Sequence, residues 1–134
     1  MASIIYPAWR TQLAQGAANT SLTGNIKVIL VDLADYTYNQ AHDFLDDVPG
    51  AARVATSANI TNKTFTLGSA GMTFDADDTS ISGVTGDTFE SVIGYIDTGT
   101  EATSRLVWFM DGLSLTPNGG AVTVQWNALG IFTL

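Results

Sequence analysis

The sequence predicts a mostly β protein: an antiparallel β-sandwich, jelly-roll-like, with one or two short helices in the N-terminal third. Three observations predict it. Short apolar–polar alternations recur between turn residues, the pattern of sandwiches and barrels. Threonine, a β-branched residue suited to a half-exposed pleated face, occupies 18 of the 134 positions. The length is that of one domain, expected over residues 1–134. A domain of this size buries about two thirds of its unfolded surface, so it holds a core without staples. Cysteine is absent, which excludes disulfides and thiolate metal sites.

The elements follow in chain order. Residues 7–18 read as a short helix, with Pro7 in its first turn and Trp9 and Leu13 on one face. Residues 25–33 are the first strong strand. Val28, Ile29, Leu30 and Val31 are apolar on both faces, so both sides are expected to be covered. In residues 38–47, Ala41, Phe44 and Leu45 stand at helical spacing, which predicts a short helix or structured loop stopped by Pro49. After Gly50 the pattern is β throughout. Residues 53–60 form a strand, and residues 63–67 alternate with Phe65 and Leu67 inward. Residues 72–74 and 79–84 continue the pattern. Residues 89–97 and 104–111 are the two best strands and pair as a hairpin across a polar loop. Pro117, Asn118, Gly119 and Gly120 make a turn, after which Val122, Val124 and Trp126 alternate with Thr123 and Gln125. Both chain ends are apolar, at Ile4-Ile5-Tyr6 and at residues 131–134. Ends of this kind are strands packed in the core or docking segments for a neighbouring subunit.

Charge narrows the function classes. The chain carries thirteen acids, five bases and a net charge of -8. The bases Arg10, Lys27, Arg53, Lys63 and Arg105 are scattered, which argues against nucleic acid and against an anionic membrane surface. Charged residues make up 13% of the chain, against about 25% in an ordinary domain. The polar surface is instead hydroxyl and amide, which loses less on burial against a partner protein.

The groups that could carry chemistry are few. His42, with Asp43, Asp46 and Asp47, places two metal-ligand types four apart, but a metal needs further ligands. Asp75, Asp77 and Asp78 resemble the start of a calcium loop. The glycine and glutamate that such a loop needs are replaced by Ser80 and Gly86. Acids so placed more often cap a turn. Asp97, Glu101 and Asp111 flank the two best strands and would serve glycoside hydrolysis only at the right separation. Trp9, Trp108 and Trp126 would line a carbohydrate platform if exposed, and Trp108 and Trp126 lie in apolar strands that favour the core. No nucleophile elbow and no phosphate-binding glycine motif is present. No catalytic, metal or cofactor-binding residue is therefore assigned, and the chain is read as a binding protein without enzymatic activity.

Several stretches resemble a family of small virion proteins of tailed bacteriophages. They are residues 25–38 (NIKVILVDLADYTY), 41–49 (AHDFLDDVP), 52–57 (ARVATS), 74–78 (FDADD), 84–87 (VTGD), 95–99 (YIDTG), 102–106 (ATSRL) and 116–120 (TPNGG). Together they run from about residue 25 towards the end. The resemblance implies a structural role on the virion, first as a capsid decoration (cement) protein that binds and stabilises the major capsid shell. A tail or fibre component that binds a neighbouring virion protein or a host-surface glycan is the alternative. It implies a homo-oligomer, most simply a trimer at local three-fold positions, made in the host cytoplasm and carried on the capsid surface. It brings no catalytic residues and no cofactor.

Overall fold

The computed structural model describes residues 3–134. The described residues form ten strands and one α-helix: β1 (Ser3–Ile5), α1 (Pro7–Ala14), β2 (Ile26–Val31), β3 (Arg53–Thr56), β4 (Thr64–Gly68), β5 (Gly71–Asp75), β6 (Thr79–Ile81), β7 (Ser91–Ile96), β8 (Leu106–Met110), β9 (Val122–Val124) and β10 (Phe132–Thr133). All pairings are antiparallel. A five-stranded sheet runs β1-β8-β7-β2-β3. A three-stranded sheet runs β10-β5-β4, and β6 pairs with β9. The mostly β, antiparallel class read from the sequence is the class observed.

The five-stranded sheet is the centre of the molecule. In β2, β7 and β8 every residue is buried except Lys27, which is half-buried. This follows from their sequences, which are apolar on alternate and intervening positions alike. Val28, Gly94 and Trp108 stand side by side across the three strands. The Trp108 ring lies over Gly94, where a Cβ would come within 2.3 Å of the indole. A glycine is needed there because the ring takes the space of a side chain.

Each face of this sheet has its own cover. On the Trp108 face, Phe74 of β5 and Phe132 of β10 bring the three-stranded sheet down, with ring centroids 5.9 and 5.7 Å from the indole. Trp126, just after β9, meets Trp108 edge-on at 5.9 Å. On the opposite face the loop after β2 lays Tyr36 and Tyr38 against Phe109 of β8. Offset and tilted aromatic contacts of this kind add to the area they bury.

Two expectations are corrected and one open alternative is decided. The helix of residues 7–18 ends at Ala14, because Gln15 caps it and Gly16 turns left-handed at φ 69°. Of the two forms open for residues 38–47, a short helix or a structured loop, the structured loop is observed. That segment is a loop with 3-10 turns at Leu45–Asp47 and Gly50–Ala52. Its backbone is tied to the neighbouring strand instead, with Leu45 N–H donating to Ser104 O and Leu106 N–H to Asp43 O. Lastly, Phe65 and Leu67 share the inner side of their sheet with Phe74 and Met72, their register partners, but stand 45% and 89% exposed. β4 is the outermost strand of that sheet, paired on one side only.

Both apolar ends are strands. β1 lies along β8 and β10 along β5, so each end is anchored by a ladder.

Candidate functional site

The polar groups singled out by the sequence fall in three places, and each is occupied by internal contacts. His42 is part of a hydrogen-bonded chain. Its Nδ1 lies 2.8 Å from Tyr36 Oη, which lies 2.8 Å from Tyr6 Oη. Tyr6 is fully buried, and burial raises its phenol far above the ordinary range. Burial pushes Tyr36 up to about 12. Both phenols therefore stay protonated and serve as hydrogen-bond links between α1, the loop after β2 and His42.

The neighbouring acids do not turn towards His42 as a ligand set. Asp47 accepts the backbone N–H of Asp43 at 2.8 Å and that of Phe44 at 3.4 Å. Burial raises the Asp47 carboxyl, but these two donors outweigh it and hold it below the usual range. Burial, with Asp47 alongside, raises Asp43. Among the described residues no group of three His, Asp or Glu side chains is placed to hold a metal ion.

The loop after β5 supplies hydrogen-bond acceptors to distant segments. Asp77 Oδ2 accepts from Asn62 Nδ2 at 2.6 Å and from Thr61 Oγ1 at 3.1 Å. Asp78 Oδ1 accepts the backbone N–H of Trp126, and Asp77 O accepts the Trp126 indole N–H at 3.0 Å. The acids that resemble a calcium loop are the acceptors that fix Trp126 in the core.

Asp97, Glu101 and Asp111 are not brought together. Asp97 follows β7 and Asp111 follows β8, so the antiparallel register puts them at opposite ends of the hairpin. Six residues of strand separate them, roughly 20 Å. Paired glycosidase carboxylates stand about 5–9.5 Å apart. Asp97 is bound to Lys27 at 2.8 Å and Glu101 to Arg53. The Lys27 hydrogen bond and the Gly99 N–H lower the Asp97 carboxyl. Trp9, Trp108 and Trp126 are all buried, so they form no exposed platform.

A few large apolar side chains remain at the surface, among them Ile4 at the edge of the central sheet. Leu67, Phe65, Leu115 and Leu129 are exposed. A cavity of about 190 Å³ opens between the β6–β9 pair and the central sheet, lined by Phe89, Val92, Met110, Leu115, Val124 and Trp126. That lining is apolar and offers no charged or titratable side chain to a reactant. Residues 64–74 carry no charge at all, in a chain of net charge -8. Sequence reasoning missed this surface, because alternation in β4 reports which side a residue faces and not whether that side is covered. The chain matches no protein-family model and no curated protein.

Proposed function

We propose that the chain is a structural component of a bacteriophage virion, a capsid decoration protein that binds and stabilises the major capsid shell. The reading starts from the resemblance of residues 25–120 to small virion proteins. The observation that carries it further is that most of the bases are engaged within the molecule while one exposed strand, β4, carries no charge. Four of the five bases are held within the molecule: Lys27 by Asp97, Arg53 by Glu101, Lys63 by Leu22 O and Arg105 by Ala18 O. What β4 presents outward is hydroxyl and apolar surface without charge. Such a surface is cheap to desolvate against another protein. Weak contacts repeated over a shell add by multivalency, and their sum opposes the outward pressure of packaged DNA. The proposal gives the chain a binding role, as a homo-oligomer on the capsid surface, and no reaction. Protein is its partner, and nucleic acid, membrane and cofactors have no part in it.

The test is immunogold labelling of virions propagated from the genome that carries the gene. Label over the heads is the expected result. Label confined to tails or fibres moves the chain to the alternative component, where a glycan array tests host binding. Virions without label, with the chain found only in the host lysate, would sink the virion role.

A further inference from the structure

We propose that two copies of this chain pair edge to edge through β4, joining their three-stranded sheets into one six-stranded sheet. The inference stands apart from the coat reading, since it concerns the chain alone.

The first ground is the state of the edge. An unpaired sheet edge is a template for another strand, and proteins blunt such edges by making them short, charged or covered. Most edges here are treated so. β1, β6 and β9 have three residues each and β10 has two. β3 carries Arg53. β4 alone has five residues, Thr-Phe-Thr-Leu-Gly, all exposed and none charged. The adjacent Lys63 would be the natural guard. Its Nζ is turned back onto Leu22 O at 3.0 Å and onto Gly24 O, away from the edge.

The second ground is register. In the β4–β5 ladder, Phe65 faces Phe74 and Leu67 faces Met72. Met72 spends its N–H and C=O on Leu134, and Phe74 O accepts from Ile131 N–H, both on the β10 side. By antiparallel alternation, the N–H and C=O of Phe65 and Leu67 point the other way, outward from the sheet. A two-fold axis through Thr66 then sets Phe65 of each copy opposite Leu67 of the other. Each such pair exchanges both backbone hydrogen bonds, and the four apolar side chains meet on the inner side. The contact is isologous and closes on itself.

Charge decides between a second copy and other strands of like shape. Two chains of net charge -8 repel wherever their acids face. The uncharged span of residues 64–74 is where they approach without that cost.

The test is the mass of the full chain by light scattering over a range of concentrations, with two variants. The wild type is expected to dimerise. Leu67→Lys, at a position 89% exposed, places a charge at both ends of the pairing. It is expected to raise the dimer dissociation constant roughly a hundred-fold, a factor of ten for each leucine lost, with an unchanged far-ultraviolet spectrum. Leu67→Pro removes only an outward N–H and repeats the test without adding charge. In Thr66→Cys the new thiols face each other across the axis, at a non-hydrogen-bonded position, in a chain with no other cysteine. Mild oxidation is expected to cross-link it as a dimer. A wild type that stays monomeric or forms a trimer would overturn the proposal. A dimer indifferent to both Leu67 variants would overturn it equally.

Discussion

The molecule holds two antiparallel hairpins with opposite fates. β7 and β8 pair over Ile93–Phe109 and Val92–Met110, and every residue of both strands is buried. β4 and β5 pair over Phe65–Phe74 and Leu67–Met72, and every residue of β4 is exposed. The difference is position. The first hairpin sits mid-sheet, with rings from other elements on both faces. The second hangs from the side of a three-stranded sheet, and of its residues Phe74 is buried in the shared core with Met72 packed against it. Alternation sets the side a residue faces, and the neighbouring layers set what that side is worth. Cohesion is concentrated in the first hairpin, and the surface free for a partner is concentrated in the second.

The largest expected effect comes from breaking the first hairpin at its centre. Trp108 touches Phe74, Trp126 and Phe132 and is fully buried. Trp108→Ala should cost about 3–5 kcal/mol of unfolding free energy in a urea titration. A loss below about 1 kcal/mol would mean that the aromatic cluster does not tie the layers together.

Gly94 sharpens the same point. Gly94→Ala would press a methyl group to within 2.3 Å of the Trp108 ring. It should destabilise by about 1–3 kcal/mol, the usual range for overpacking. In a Trp108→Ala background the clash disappears, and the same change should cost much less. Equal costs in the two backgrounds would show that Gly94 is required for its backbone and not for the ring.

Asp97 gives a smaller effect and a pH signature. Its folded pKa is lowered by Lys27 and the Gly99 N–H. It therefore contributes stability that is fully present above the unfolded value, near 3.9, and is lost as pH falls through the folded pKa. The Lys27–Asp97 pair is partly exposed, so the contribution is below about 1 kcal/mol. Asp97→Asn should lower stability slightly at neutral pH and flatten the decline below about pH 4. An unchanged acid limb in melting experiments would remove Asp97 from the account.

Both hairpins were legible in the sequence as strands, and the burial of the first was legible where the exposure of the second was not. Ile93, Trp108 and Phe109 sit in runs with no polar gap, and such a run buries itself on both faces wherever the sheet forms. The core position of Trp126 was readable for the same local reason, but the partners of Asp77 and Asp78 were not, because they lie 15 to 49 residues away in sequence. The helical spacing of Ala41, Phe44 and Leu45 did not decide between helix and loop, because part of that loop's backbone is bonded to strand β8 and its flank. Such pairing lies some sixty residues away in sequence, beyond the reach of any local pattern. Strand order and the exposure of Phe65 and Leu67 depend on the same non-local information.

The smallest expected effect is the one that tests the comparison most directly. Leu67→Ser removes a large apolar side chain from a strand, a change that in β7 or β8 would bury an unsatisfied hydroxyl and leave a cavity. At position 67 the side chain is 89% exposed. Serine there meets water, and the outward backbone groups are unaffected. Measured at a concentration low enough to keep copies apart, the change in unfolding free energy should lie within about 0.5 kcal/mol of zero. Ile93→Ser, on the mid-sheet hairpin, should lose several times more by the same measurement. If Leu67→Ser were as damaging as Ile93→Ser, the β4–β5 hairpin would have to fold back onto the molecule in solution. The division between a cohesive hairpin and an available one would then fail.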